Sequence, residues 1–570
     1  MSDRTAALSV GSRPERDPFR YPSGTTVRFG VLVLSAVSLG VPAISERVAS
    51  LPGFLRGEFA GTATRNHQVH DCYARLYQNG EEDPSAFAAC GVVSPVPLWV
   101  FAVALAGFVV VVLAVYWLIP VLRVRRRGYV AIPYADLRAE LDGLREMAGV
   151  GHEIRWLIDP ANPRPEALAF GRIGRRYIML SAGVVALRSR QPAAFRTIVL
   201  HELAHLRNRD VDLAYLAIAV WRVTMPIAAL EVFGSVFAPL VYSSNPGQLI
   251  AGSVGAVQTI LLIVMVPILR NGLLRTRELY ADARVRLWTS SDEVDDFFST
   301  HAAAAPRGRR RRRALSTHPD LGVRRAALRD DSRLFQVRIA EAFATGLVFG
   351  IFYTQIIRIS DFRPNSEETT WSFVAVRVVA VLLVGVWSIA ALRALQTSPA
   401  DRRGSAMIPS AVGLGLGWSL GAGVLNLDVA WNLYNVRFGV LGLCCWVLAS
   451  VGLAIVGSRY VHSVIRTWFH PGDDSRPRGA WLGPAAIALG LVLVVSGVLA
   501  PHSISELATI SFAYAFPGHA VIYLLEGPIF VLCNLLVVWI TWRSVALGAA
   551  AWVVLLIVNS RRARRARALR

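Results

Sequence analysis

Two histidines and a glutamate at helical spacing are the residues of this chain best suited to chemistry. His201, Glu202 and His205 form the pattern His-Glu-x-x-His in a segment that follows Pro192 and is predicted to be helical. Residues i and i+4 lie on one helix face, so both imidazoles can bind one Zn²⁺ while Glu202 contacts a metal-bound water. The spacing predicts a hydrolytic zinc site with Glu202 as general base. The simpler alternative is an amphipathic helix with two surface histidines.

A catalytic zinc site needs a third protein ligand, and Glu278 is the best candidate. It follows an apolar hairpin that would return the chain to the side of the membrane where the histidines lie. Asp282 is four residues further on, on the same helical face, and could orient a ligating imidazole. The sequence thus predicts one Zn²⁺ per chain, held by His201, His205 and Glu278.

The composition indicates which elements must position these residues. Of the 570 residues 54% are hydrophobic and only 17% are charged, and the mean hydropathy is +0.45, which indicates a membrane protein. The formal net charge is +21, but the arginines cluster beside apolar runs of membrane-spanning length. Such clusters are typical of cytoplasmic flanks, so contact with membrane lipids is expected and binding of nucleic acid is not.

Apolar runs of about 20 residues divide the chain into alternating membrane and soluble parts. Four arginines between Arg123 and Arg127 end the second run and place the next segment in the cytoplasm. Ten to twelve spans are expected in all. The predicted parts are a cytoplasmic tail 1–26, two spans with an extracytoplasmic loop 46–96 within 27–122, a catalytic region 123–335 interrupted by a membrane hairpin 213–269, a multi-span region 336–560 and a basic cytoplasmic tail 561–570.

Other residues carry weaker expectations. Cys72 and Cys90 lie in the predicted outer loop, where a disulfide between them is plausible. The run Arg309–Arg313 is expected either to face lipid headgroups or simply to reflect the excess of arginine on the cytoplasmic side. Four charged residues in or near predicted spans would either line a membrane-embedded path or simply form ion pairs; they are Arg222, Glu231, Glu341 and Arg377.

Substrate is expected to bind as an extended peptide along the edge of a sheet, because an edge strand can complete the backbone hydrogen bonds of a peptide. Two short apolar strands qualify. The sequence leaves open which of them is the edge. They are Tyr177–Leu180 and the strand made by Ala167, Leu168, Ala169 and Phe170, joined by the turn Gly171–Arg175.

With these motifs the chain resembles the HtpX-like membrane zinc endopeptidases, which are related to the CAAX prenyl endopeptidases. The resemblance covers roughly residues 130 to 330. The chain differs from the family pattern in Glu166 and in Asp320, where the family has asparagine and proline. The motifs that carry the resemblance are Glu-Ala-Leu-Ala-Phe-Gly at 166–171, His-Glu-x-x-His at 201–205 with Asp210 after it, Glu278-x-x-x-Asp282, and Ser-Thr-His-Pro at 316–319 with Arg324.

The resemblance implies an α+β zincin-type (gluzincin) metallopeptidase domain with protein or peptide substrates. It implies that His318 and Arg324 approach the substrate carbonyl or the transition-state oxyanion, and that Asp210 is the acidic residue that follows the zinc-binding helix. The site would lie at the cytoplasmic face of a bacterial inner membrane. The whole is then an α-helical polytopic membrane protein that carries a cytoplasmic metallopeptidase domain.

Two alternatives remain open. A BlaR-type sensor peptidase also uses His-Glu-x-x-His and a later glutamate, although the membrane hairpin before Glu278 and the Thr-His-Pro element argue against it. In the other, the peptidase domain is a regulatory module on a receptor or transporter formed by the carboxy-terminal spans.

Overall fold

The structure is a computed structural model that describes most of the first 361 residues and parts of the carboxy-terminal region. The predicted disulfide of Cys72 and Cys90, the run Arg309–Arg313, Arg377 and the tail 561–570 lie outside the described residues. The described residues are 19, 24–55, 98–242, 246–289, 318–330, 334–361 and 407–424, with further helical positions between 379 and 394 and between 444 and 459.

Helices dominate the described part of the chain, and one small sheet interrupts them. In chain order the elements are α1 (Gly24–Leu55), α2 (Leu98–Arg127), β1 (Val130–Ala131), α3 (Ala135–Met147), β2 (Ile154–Asp159), β3 (Ala167–Arg172), β4 (Arg175–Ser181), α4 (Ala182–Arg190), α5 (Pro192–Arg207), α6 (Asp210–Tyr242), α7 (Pro246–Val285), α8 (Leu321–Arg329), α9 (Ile339–Asp361) and α10 (Ile408–Trp418), which continues as a π-helical turn over Ser419–Val424.

Four of the described helices are long and apolar enough to cross a membrane. The qualifying segments are Gly24–Ser45, Trp99–Arg127, Asp210–Phe233 and Ala256–Val285. Helix α1 packs against α2, α6 and α7, and α6 packs against α7. Helix α7 continues well beyond Leu269, where the apolar run ends, and no proline follows Pro267 before Val285. The residues after the predicted membrane hairpin are therefore part of the same helix as the span.

The sheet has the strand order β1-β2-β4-β3, so β3 is an edge strand. Strand β4 pairs with β2 in parallel and with β3 antiparallel, in the register Leu168 opposite Met179. The alternative candidate strand Tyr177–Leu180 thus lies inside the sheet. The tight return from β3 to β4 needs Gly171, which has φ +143° and whose Cβ would collide with the carbonyl of Arg175.

Helices α3, α4 and α5 cover the sheet. Helix α3 buries Leu137, Leu141 and Leu144, which recur at the spacing of one helix face. Ser181 ends β4 and caps α4 by accepting a hydrogen bond from the Val184 N–H. The core under the sheet is continuous with the core between the apolar helices, so the two parts are one packed body.

The carboxy-terminal region packs onto the same body. Helices α9 and α10 approach so closely that a Cβ on Gly346 or Gly417 would collide with the backbone of the other helix. On α9, Glu341 accepts two hydrogen bonds from Arg28 of α1, at 2.7 and 2.8 Å. Arg393 is buried and donates to the Tyr280 hydroxyl of α7 at 2.6 Å. Glu341 thus forms an ion pair, which is one of the two alternatives that the sequence left open for it.

Candidate metal centre

Helix α5 carries both histidines toward α7. It begins at Pro192, which is suited to the first turn because its missing N–H has no helical partner there. Phe195, Val199 and Leu203 are fully buried and fix this helix against the core. The rings of His201 and His205 lie side by side on the same helix face, with centroids 4.8 Å apart and planes at 82°.

Helix α7 brings Glu278 to the two rings. Its Oε2 lies 3.4 Å from His201 Nε2, and its Oε1 lies 3.4 Å from His205 Nε2. One donor atom from each of the three residues lies within 4.8 Å of the others. Glu278 and His205 are both almost completely buried.

This donor set fits a divalent cation such as Zn²⁺. Ligand atoms held tetrahedrally about 2.1 Å from Zn²⁺ lie about 3.4 Å from one another, which is the separation of the glutamate oxygens from the Nε2 atoms. Two imidazoles and one carboxylate are a common ligand set for a catalytic zinc with an open fourth position. A buried carboxylate also needs a positive partner, since burial of an unpaired charge is costly.

His201 is oriented from behind by a carboxylate that an arginine holds. Asp282 Oδ1 lies 3.0 Å from His201 Nδ1, which leaves Nε2 facing Glu278. Arg324 of α8 donates to both oxygens of Asp282, from Nε at 2.7 Å and from Nη2 at 2.5 Å. Burial alone would lower the pKa of His201, but the hydrogen bonds to Asp282 and Glu278 outweigh it and raise the pKa to about 9. The site therefore favours a positive charge.

His205 has a looser neighbour. Its Nδ1 lies 3.8 Å from Asp210 Oδ2, which is too far for a hydrogen bond. Both atoms are buried, and neither has a hydrogen-bond partner among the residues that the structure describes. The turn between α5 and α6 sets this distance, and it places Arg209 in the left-handed region at φ +58°.

Glu202 connects the metal site to the edge strand. Its side chain is buried, and its Oε2 accepts a hydrogen bond from the Ala169 N–H at 2.5 Å. This contact holds the carboxylate between the histidines and β3. A charge-assisted bond of this kind fixes an acceptor strongly. Glu202 is thus placed beside both the candidate ligands and the candidate substrate strand, of which Phe170 is buried and Ala167 and Leu168 line the cavity.

The other two residues expected from the resemblance also lie at the site. His318 Nδ1 is 3.3 Å from Glu278 Oε2, and its side chain is 68% exposed. Arg324 contacts Asp282, and its Nη2 lies 3.5 Å from His201 Nδ1. An approach of either residue to a substrate carbonyl stays a prediction.

Sequence reasoning missed a polar cluster that anchors the β3–β4 hairpin to two apolar helices. The Tyr116 hydroxyl of α2 accepts from the Ile173 N–H at 2.9 Å and donates to Asp212 of α6 at 2.6 Å. Arg176 of β4 donates to the same carboxylate at 2.7 Å. The available signal was Asp212 itself, an acidic residue at the start of an apolar run.

The candidate ligands and the residues that support them surround one cavity of about 600 Å³. Its wall includes the three candidate ligands, Glu202, Asp282, His318 and Arg324, and the amino-terminal half of β3. A cavity of this size accommodates several residues of an extended peptide. The arrangement places a donor set that fits a cation, the buried carboxylate of Glu202 and the edge strand β3 around a common space.

Comparison with known families agrees with this geometry. Residues 132–332 match the family model described as Peptidase family M48. The matched segment contains all the candidate ligands and supporting residues, so the resemblance inferred from the motifs is confirmed for it. No curated protein and no solved structure gives a significant match.

Proposed function

On the premise that residues 132–332 are a peptidase domain of family M48, we propose that the chain is a membrane-embedded zinc metalloendopeptidase. It hydrolyses peptide bonds of membrane or membrane-proximal proteins. The observation that carries this proposal is the convergence of His201, His205 and Glu278 beside Glu202. The three ligands would hold one Zn²⁺, which when bound polarises a carbonyl and lowers the pKa of water to about 7.

Glu202 moves the proton in this mechanism. Its carboxylate takes a proton from the attacking water as the water oxygen bonds to the peptide carbonyl carbon. It then gives that proton to the amine nitrogen as the carbon–nitrogen bond breaks. The hydrogen bond from Ala169 N–H holds the second carboxylate oxygen in place through both transfers.

Strand β3 would bind the substrate backbone. Because the Ala169 N–H points away from β4 toward Glu202, the backbone groups of Ala169 and Ala167 face the open edge of the sheet. An extended peptide added at this edge would bond to the carbonyls of these two residues. The Ala169 N–H already donates to Glu202 and is not available to the substrate. The substrate N–H groups next to the scissile bond would therefore be held mainly by backbone carbonyls of β3.

The supporting residues have separate tasks in this proposal. Asp282 fixes the tautomer and the ring orientation of His201, and Arg324 holds Asp282. His318 is mostly exposed at the cavity beside Glu278, and it would donate to the oxyanion that forms on the substrate carbonyl.

We place the protein in a bacterial inner membrane with the active site on the cytoplasmic side. Four apolar helices and the arginines that end α2 support this orientation. In a variant whose five native cysteines are replaced by serine, a cysteine introduced as Arg126→Cys should resist a membrane-impermeant thiol reagent in spheroplasts and react after lysis. Reaction before lysis would contradict the orientation.

The deciding experiment compares the detergent-purified chain with its Glu202→Gln variant. Zinc content is measured first, and then cleavage of an unfolded test protein. One zinc in both proteins with cleavage by the wild type alone would support the proposal. Zinc without cleavage in either would favour a sensor or regulatory module, and absence of zinc would overturn the ligand assignment.

A further inference from the structure

The cavity beyond the metal ligands carries a cluster of arginines that the proposed reaction does not use. Arg123 and Arg127 of α2 and Arg277 of α7 all line it. Arg123 and Arg127 are four residues apart and so share one helix face. Their neighbours Arg125 and Arg126 do not line the cavity. The general preference for arginine at the cytoplasmic end of a span therefore does not explain why these two face it.

Two of these three arginines have no carboxylate partner among the described residues. Among the residues that the structure describes, neither Arg123 nor Arg127 forms an ion pair. Arg123 donates to the Tyr215 hydroxyl at 2.9 Å and lies over the Phe170 ring, with Cζ 5.9 Å from its centre. Arg277 lines the same cavity as Arg123 and Arg127.

Arg277 gives the strongest indication that this cluster binds an anion, because its charge is buried. Only 8% of its surface is exposed, and its Nε is buried without a hydrogen-bond partner among the described residues. Its one ion pair within the described part of the chain is with Glu278, at 3.2 Å. Because Glu278 is a proposed metal ligand, its charge would be shared with the cation. A buried guanidinium in this position is stabilised by a further anion.

Arg123 lies over the Phe170 ring, toward the carboxy-terminal end of β3. Asp159 and Glu166 also line the cavity, and Glu166 directly precedes Ala167 at the start of β3. The groove along β3 is thus acidic at its start and basic near Phe170. Because Glu202 bonds to Ala169 and strand residues are spaced about 3.3 Å apart, the basic end lies within about two residues of the scissile bond.

We infer that Arg123, Arg127 and Arg277 form a specificity subsite that binds an acidic side chain of the substrate, within two residues of the bond that is cut. This inference rests on the proposed peptidase function and adds a substrate class to it. The arginine fork binds a carboxylate through two hydrogen bonds, and the partly enclosed cavity strengthens the attraction. An acidic peptide is favoured over a lipid phosphate because the buried Arg277 adjoins the metal ligand.

The test uses the full-length, zinc-loaded protein in nanodiscs of zwitterionic lipid. A peptide library is digested and its cut sites are read by mass spectrometry, which gives the preferred position. Two fluorogenic peptides are then compared that differ only by glutamate or glutamine there. We expect the glutamate peptide to have a kcat/KM about tenfold higher, as a partly buried ion pair provides.

Single variants assign the preference to the cluster. Arg123→Gln and Arg127→Gln should each reduce the ratio of the two kcat/KM values severalfold, and Arg277→Met should do the same where its zinc content remains at one per chain. Arg125→Gln is the matched control, since it removes the same charge from the same helix end outside the cavity. It should leave the ratio unchanged.

The outcomes separate the subsite from the peptidase function. Cleavage of both peptides with a ratio near one, or a ratio that persists in all three variants, would overturn the subsite and leave the peptidase intact. In a third outcome, Arg123→Gln leaves the ratio of the two kcat/KM values unchanged but alters the effect of added anionic lipid on activity. That result would assign the arginine cluster to lipid phosphate and would also overturn the proposed subsite. Failure to cleave either peptide, as with Glu202→Gln, would overturn the peptidase function and the subsite together.

Discussion

The two histidines of the candidate metal centre lie one helical turn apart, yet they are supported in different ways. On the His201 side, Asp282 lies at hydrogen-bond distance, and Arg324 holds that carboxylate from another helix. On the His205 side, Asp210 Oδ2 lies 3.8 Å from His205 Nδ1 and has no hydrogen-bond partner among the described residues. The first carboxylate comes from a helix that is far away in the chain and free to be positioned. The second is only five residues from its histidine and is limited by the turn at Arg209.

This difference shows how the length of intervening chain affects a metal site. A carboxylate on a separate element can pack at the optimum distance, whereas one on the next turn takes the distance that the backbone allows. The two sides of the site should therefore differ in their contribution to zinc affinity, and measurements of zinc binding can test that comparison.

The largest effect is expected from Asp282→Asn. The amide cannot neutralise Arg324 and orients the imidazole less well, so zinc affinity should fall by about 10- to 100-fold. Competition with a chromophoric chelator measures this constant. An affinity within twofold of the wild type would show that the His201 side gains nothing from its carboxylate.

A smaller effect is expected from pH. The pKa of His201 without metal is raised to about 9, so a proton occupies the site below that pH and zinc must displace it. Zinc affinity should therefore fall about tenfold per unit as the pH decreases from 8 to 7, and level off above 9. An ordinary imidazole, with a pKa near 6.5, would give almost no change over this range.

The same titration in the Asp282→Asn variant sharpens the comparison. Loss of the carboxylate should lower the pKa of His201, so the affinity should become flat between pH 7 and 8. Equal slopes in the two proteins would mean that the proton released on binding comes from another residue.

The smallest effect is expected from Asp210→Asn. At 3.8 Å without a hydrogen bond the carboxylate contributes only through its charge, so zinc affinity should fall by less than about threefold. The same chelator competition measures it, with Asp282→Asn alongside. Equal losses for the two variants would remove the distinction between the two sides.

Much of the candidate site could be predicted from the sequence, because the spacing and composition that indicate it are local. The helix around His201 follows from its spacing, its apolar face and Pro192, and the two short strands follow from their apolar residues and the glycine between them. Glu278 and Asp282 can be identified because they lie four residues apart, on one helix face, shortly after an apolar run.

The rest depends on contacts between distant segments. Strand order is not encoded in the pattern of either strand, since β3 and β4 read alike, and only the parallel pairing of β4 with β2 makes β3 the edge. The contact of Arg324 with Asp282 spans 42 residues. The arginines that line the cavity come from α2 and α7, which are far apart in the sequence. From the sequence alone, Arg277 is therefore indistinguishable from an ordinary charge that flanks a membrane span.

The contacts of α7 with the carboxy-terminal region have a practical consequence. The helix that supplies Glu278 is held by Arg393 at Tyr280 and, through Thr276, by the Arg28–Glu341 pair. Excising residues 132–332 as a minimal catalytic fragment would strip α7 of these contacts and leave Thr276 and Tyr280 facing solvent or lipid. A shortened chain that keeps every catalytic side chain should still fail to assemble the site. Recombinant work on this protein therefore has to retain α1, α9 and the segment that carries Arg393.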